Sequence, residues 1–206
     1  ASGDGFHTNL GVYNLGDHPL SVTFDLYSAQ GTSLGEVVLS AAPGAFSQDV
    51  DAMADLGAGD LRGAWAMVTS AEPSDLYTCY ASVVDDFSHD PTFVPPSAVD
   101  QGSGHLVIPT VAARAGLHDT RWATELTLVN PFDVEAEAAL IFHTADGEST
   151  QHVDRIIPAV AALHADDLLR DLFGIQGAGW LEIQASERLI ANCRILHDAD
   201  AGRSGE

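Results

Sequence analysis

The chain has 206 residues, room for one large domain or two of about 100 residues each, and its 46% hydrophobic content excludes wholesale disorder. Thirty acids face eight basic residues, all arginine, for a formal net charge of −22. That balance repels phosphate backbones and anionic lipid, so nucleic acid and membrane surfaces are poor partners, and the lack of any run of 18 apolar residues predicts no membrane insertion.

A solvated acidic surface explains the charge. A high-salt habitat is a second reading, and calcium binding is a third that needs a local cluster of oxygen ligands. No basic and apolar leader opens the chain, and its start, "ASGDG", fits a processed mature terminus as well as a boundary set by cloning.

In chain order, "FHTNLGVYN" at 6–14 is the first predicted strand, with Phe6, Thr8, Leu10 and Val12 on one face at period two. "LSVTFDLYSAQG" follows with Val22, Phe24 and Leu26 alternating up to a turn, and "LGEVVLS" is the strand after it. A short helix is expected in "DVDAMADLG" at 49–57, opened by acids and stopped by glycine, with Met53 and Leu56 toward the core. "GAWAMVTSA" and "DLYTCYASVVDD" complete the first set.

The same order then recurs. A shift of 116 residues lays Phe6 on Trp122, Thr8 on Thr124, Leu10 on Leu126, Val12 on Leu128, Asn14 on Asn130 and Asp17 on Asp133. With small drifts in turns, Pro43 falls on Pro158, Trp65 on Trp180 and Asp85 on Asp198. "AEAALIFHTADG" matches the second strand and ends in a hairpin signal, "STQHVDRII" follows, and a helix is expected in "HADDLLRDLFG" at 164–174 with Leu168, Leu169 and Leu172 inward. "AGWLEIQAS" and "RLIANCRILHD" close the second set.

A period near 115 residues means two whole domains rather than a solenoid. The expected fold is all-β, two tandem immunoglobulin-like antiparallel β-sandwiches, each with one short crossover helix. The modules span 1–96 and 104–206, joined by a linker at 97–103 that contains Gly and Ser and follows Pro95 and Pro96.

Few residues invite chemistry. GxSxG, HExxH, EF-hand and zinc spacings are absent, so no catalytic, cofactor-binding or metal residue is assigned, no cofactor is expected, and the chain is read as not an enzyme. Asp85, Asp86, His89 and Asp90 crowd one stretch, either as a calcium site or as a polar turn whose carboxylates cap backbone amides; the turn is favoured. Cys79 and Cys193 each fall on an inward face of their own module, which argues against a disulfide. Trp65 and Trp180 read as core aromatics in preference to sugar-stacking residues.

The stretches "TNLGVYNLGD", "YASVVDDFSHDPTFVPP" and "LVIPTVAARAGLHDTRWATELTLVNPFD" resemble a family of tandem β-sandwich repeats in large secreted or cell-surface bacterial proteins, and the resemblance covers nearly the whole chain. It implies an extracellular or cell-surface setting, with the periplasm as alternative, and no catalytic residues. The function expected is that of a non-enzymatic structural or interaction protein, such as a surface or filament subunit or an accessory subunit, with a protein partner or self-assembly. A carbohydrate- or calcium-binding adhesion module is the alternative.

One asymmetry remains. The second copy is preceded by "GHLVIPTVAARAG", an expected strand anchored by Leu106, Ile108 and Val111, and nothing equivalent precedes Phe6. Either the first module closes without that strand or borrows cover from the linker, or the chain is a fragment of a longer array, or an edge beside residues 6–14 awaits a strand from another chain. Finding residues 6–14 already flanked within one chain would count against the last.

Overall fold

A computed structural model describes residues 5–57, 59, 61–116, 120–199 and 202–205. The chain divides into two compact units, Ala1–Ser28 with Thr32–Pro96, and Ala29–Gly31 with Ser97–Glu206. Both are mostly β, and every strand pairing is antiparallel.

The first unit holds β1 (Phe6–Asn14), β2 (Leu20–Tyr27), β3 (Ser33–Ala41), β4 (Phe46–Asp49), α1 (Ala52–Asp55), β5 (Trp65–Ser70), β6 (Tyr77–Asp85) and β7 (Pro91–Val94). They form a four-stranded sheet in the order β4-β1-β6-β7 and a three-stranded sheet in the order β3-β2-β5. Alternation explains the core. Leu10 and Val12 of β1 and Cys79 of β6 meet Val22, Phe24 and Leu26 of β2 and Val37 and Leu39 of β3, so the two sheets share one apolar interior. Each fully buried Leu, Val or Phe contributes about 1.5–3 kcal/mol over its exposed state. Met53 of α1 is buried in that cluster and Leu56 packs on it; the helix is four residues long, shorter than the stretch expected from sequence.

The second unit begins with a 3₁₀ turn (Val99–Gln101) and continues with β8 (Ser103–Ala115), β9 (Arg121–Asn130), β10 (Ala136–Thr144), β11 (Thr150–Ile157), β12 (Ala161–Ala165), α2 (Leu168–Phe173), β13 (Gly177–Ala199) and β14 (Gly202–Gly205). The strand order is β11-β10-β13-β8-β9-β12, with β14 on β13 and a further β13–β9 pairing. The two strands expected from "AGWLEIQAS" and "RLIANCRILHD" are one 23-residue strand. Its first half pairs with β10 and β8, and its second half, from Ile190, pairs with β9. The core takes Leu181 and Ile183 from the first half, Leu126 and Leu128 from β9, Leu140 and Phe142 from β10, and Val111 and Ala113 from β8. Leu106 and Ile108 pack against it, so β8 is anchored through the three residues expected. Asp167 caps α2 by accepting from the Arg170 N–H at 3.3 Å, and Gly174 stops it at φ 70°, a left-handed value that favours glycine.

β1 and β9 lie 116 residues apart, and their partners on β6 and β13 lie 112 apart throughout. Val12 faces Cys79 and Leu128 faces Ala191; Thr8 faces Val83 and Thr124 faces Ile195. Phe6 faces Asp85 and Trp122 faces His197, so the strand partner matching Asp85 is His197 rather than Asp198. The shift arises because β13 runs straight through where the first unit has a loop between β5 and β6.

One asparagine in each unit explains the repeated corner that runs from Asn14 to Asp17 and from Asn130 to Asp133. Asn14 and Asn130 are 1% and 0% exposed. Asn14 Nδ2 donates to the carbonyls of His18 (2.8 Å) and Ala41 (3.0 Å), and its Oδ1 accepts from the Gly16 N–H (2.9 Å). Asn130 Nδ2 donates to Val134 (2.7 Å), Ile157 (3.2 Å) and Pro158 (3.0 Å), and its Oδ1 accepts from Phe132 (3.2 Å). Each carboxamide satisfies the backbone groups of a buried corner between strands.

Candidate functional site

The most distinctive element is an edge. β1 lies between β4 and β6: β6 pairs with all of residues 6–14, whereas β4 pairs only with Leu10–Tyr13. Residues 10–13 are therefore flanked on both sides within the chain, while among the described residues Phe6–Asn9 have a strand partner on the β6 side alone. Among the described residues, the three-stranded sheet has two edges, β3 and β5, each pairing with β2 on one side and with no strand on the other.

The second unit shows what the free side of β5 holds elsewhere. There β10 pairs with the first half of β13 as β2 pairs with β5, and β8 covers the remaining side. The consequence is visible in burial. Leu181 and Ile183 are fully buried, whereas Ala66 and Val68, their counterparts on β5, are half-buried at the margin of the first core.

The tryptophans lie on the other face of these strands. Because Leu181 and Ile183 point inward, Trp180 points outward, and it stacks on His143 with centroids 3.7 Å apart and planes 4° apart. Trp65 stacks likewise on Tyr27 at 4.7 Å and 21°. Both are cross-strand pairs rather than core aromatics. Beside Trp180, the Glu182 carboxylate meets His105 Nε2 at 2.9 Å and Gln184 Nε2 at 2.7 Å, with His143 Nε2 at 3.5 Å. The Gln184 amide, and then His105, hold the Glu182 carboxyl below its ordinary range.

A second surface is aromatic. On the outer face of β4-β1-β6-β7, Tyr80 lies between Phe46 (centroids 6.3 Å) and Phe93 (5.5 Å), with Phe46 and Phe93 54% and 63% exposed. Gly11 makes room: a Cβ there would stand 2.3 Å from the Tyr80 ring. The Tyr80 hydroxyl donates to Gln48 Oε1 at 2.6 Å, fixing the ring.

The acidic stretch at 85–90 is a turn. Asp85 is 6% exposed, and its Oδ1 accepts from the backbone of Phe87 (2.8 Å) and Ser88 (3.2 Å). The His89 N–H donates to the Asp85 carbonyl at 2.7 Å, and His89 takes φ 61°. Asp86 pairs across the sheet with His7. The carboxylates thus diverge, and among the described residues no group of three His, Cys, Asp or Glu is arranged to hold a metal ion. Asp200, in the corresponding exit of the second copy, lies outside the described residues.

Cys79 and Cys193 are free thiols in separate units. Burial pushes the Cys79 thiol up, and burial together with the nearby Glu125 carboxylate pushes Cys193 up to about 11, so neither is a ready nucleophile.

One titratable group ties two loops. His18 Nε2 donates to Asp75 at 2.9 Å and Nδ1 donates to Asp17 at 3.1 Å, an arrangement only the imidazolium completes. The Asp75 and Asp17 bonds raise the His18 pKa, and the His18 bond lowers that of Asp75. A raised folded-state pKa adds stability that is full below the unfolded value and lost as pH rises through the folded value. The His18 proton resonances are therefore expected to titrate above the ordinary 6.5, and Asp75→Asn to bring the midpoint down; an unchanged midpoint in that variant refutes the pairing.

No protein-family model matches the chain, and a search of curated proteins returns no match. Among the described residues no helix is long and apolar enough to cross a membrane.

Proposed function

We propose that the chain is a non-enzymatic structural or interaction protein that works outside the cytoplasm, at a cell surface or in the extracellular space. In this reading it is built from two tandem immunoglobulin-like β-sandwich modules and serves as a subunit of a filament, a surface layer or a larger complex. The observation that carries the proposal is the uncovered β5 edge. Edge strands template pairing with other chains, and proteins blunt them with charge, proline or irregularity. Several other edges carry such features: Asp49 ends β4, Pro91 opens β7, Glu36 and a register shift interrupt β3, and Asp154 and Arg155 stand on β11, whereas the five-residue edge β12 has neither charge nor proline. β5, "WAMVTS", has neither charge nor proline.

Light scattering across micromolar concentrations, with electron microscopy of the same samples, tests the subunit role. Species larger than one chain, growing with concentration, are expected. A monomer at every concentration overturns the subunit reading.

Carbohydrate binding is the second reading, favoured by the Phe46, Tyr80 and Phe93 row, since exposed aromatic faces stack on sugar rings. It predicts slowed migration in gels containing a neutral polysaccharide, lost in Tyr80→Ala with the fold intact by circular dichroism. Equal migration of both proteins across a polysaccharide panel rules it out.

A further inference from the structure

The aromatic face of the first unit is specific enough to describe a ligand, and the description rests on the carbohydrate reading above. We infer that the outer face of β4-β1-β6-β7 is a platform for an extended, uncharged glycan of β-linked pyranose sugars, with one sugar over each of Phe46, Tyr80 and Phe93.

Register builds the platform. Gly11 lies opposite Gln48 on β4 and opposite Tyr80 on β6, Tyr13 lies opposite Phe46, and Ser82 lies opposite Phe93 on β7. These positions alternate with the buried Leu10, Val12 and Cys79, so they point away from the core. Tyr80 reaches across Gly11, the one position of β1 without a side chain, and sets its hydroxyl on Gln48. That bond fixes the ring before any ligand arrives, which lowers the ordering cost of binding. The Phe46 and Tyr80 rings are 5° from parallel, and the Tyr80 and Phe93 rings 29°. Near-parallel rings thus follow one another across the sheet at centroid steps of 6.3 and 5.5 Å, close to the repeat of one sugar in an extended β-linked chain.

Charge selects the ligand. The chain has 30 acids, yet no outward position of β1, β4, β6 or β7 is Asp, Glu, Lys or Arg. The acids of these strands, Asp49 and Asp85, stand opposite Leu10 and Phe6, on the inward parity. Asp86, just past β6, is paired with His7. Around the rings the face offers neutral donors and acceptors, Asn9, Gln48, Thr78 and Ser82. A pyranose with equatorial substituents matches this, with an apolar C–H face to lie on a ring and hydroxyls at its edge to meet amides and hydroxyls. A uronic or sulfated glycan finds no Lys or Arg on the face and meets the field of a chain with net charge −22. A second copy of the chain meets the same repulsion.

Isothermal titration calorimetry of the full chain tests this, with cellohexaose as the probe and cellobiose, maltohexaose and hexagalacturonate beside it. Cellohexaose is expected to bind about tenfold more tightly than cellobiose, because it reaches every ring of the row. Maltohexaose, whose α-linkages coil it away from a flat row, and the anionic hexagalacturonate should each bind at least about tenfold more weakly than cellohexaose. Tyr80→Ala should abolish cellohexaose binding, and Phe46→Ala and Phe93→Ala should each weaken it about tenfold. The two Phe variants keep the test valid if Tyr80→Ala disturbs the sheet. Ile156→Ala, which removes an exposed apolar side chain of the second unit, should leave the affinity unchanged. No binding of cellohexaose, equal binding of the α-linked or charged hexamer, or unchanged affinity in the Phe variants overturns the inference. Retardation by a different neutral polysaccharide, lost in Tyr80→Ala while cellohexaose does not bind, would leave the carbohydrate reading standing and refute this one. Oligomers that dissociate in Phe93→Ala, with no sugar bound, would assign the row to protein contact and refute both.

Discussion

Asn130→Ala is expected to lower the stability of the protein by about 1–3 kcal/mol, since it leaves a buried acceptor, the Ile157 carbonyl, without this donor. The carboxamide also serves the part-buried carbonyls of Val134 and Pro158 and the N–H of Phe132. Asn130→Asp separates hydrogen bonding from shape. It keeps the volume yet sets a carboxylate oxygen against carbonyl oxygens, so it should be at least as damaging at neutral pH and partly recover in acid. Urea unfolding reads both. A midpoint within error of the parent protein for either variant refutes the corner's role. Asn14→Ala should behave similarly, because Asn14 serves the same corner of the first unit.

Gly179→Ala should cost about 3 kcal/mol, toward the upper end for overpacking, because what it meets is backbone. A Cβ at Gly179 would stand 1.9 Å from the carbonyl oxygen of His143 and 2.8 Å from Cε2 of Phe142. Gly179 pairs with Thr144 on β10 and with Val111 on β8, so strands on both sides hold it in place. Gly177, two residues earlier on the same strand, is the control: a Cβ there meets nothing within 4 Å. Gly177→Ala should be neutral or stabilising by up to about 1 kcal/mol, through loss of backbone freedom in the unfolded chain. Thermal unfolding of the two variants side by side decides, and equal effects would refute the steric account.

Much of the local structure was legible in the residues. Alternation placed Leu10, Val12, Val22, Phe24 and Leu26 inside, and all five are buried. The repeated asparagine and the anchors Leu106, Ile108 and Val111 were also visible. What escaped was set by long-range pairing. Nothing in "FHTNLGVYN" says that β6 will pair along all of it and β4 only along Leu10–Tyr13, nor that β5 will stand at an edge of the other sheet. Parity hid the tryptophans. In "GWLEI" both Trp180 and Leu181 are large and apolar, and only the pairing with β10 decides which points inward. In the acidic stretch at 85–90 the backbone capping by Asp85 is local and legible, whereas the Asp86–His7 pair depends on the β1–β6 register and has no local signal. The aromatic row over Gly11 joins residues from β4, β6 and β7, and no local signal announces it.

The 23-residue span of β13 has a consequence for how the second unit opens. Hydrogen exchange normally reveals sub-global openings, in which one part of a domain unravels while the rest stays protected. Here one uninterrupted strand belongs to the β10 and β8 pairing and then to the β9 pairing, so releasing it from one disturbs the other. Amides of β13 on either side of residues 185–189 should exchange with a common opening free energy. In the first unit, β5 and β6 are separated by a loop and should exchange as two groups, with β5, hydrogen-bonded along a single side, the faster.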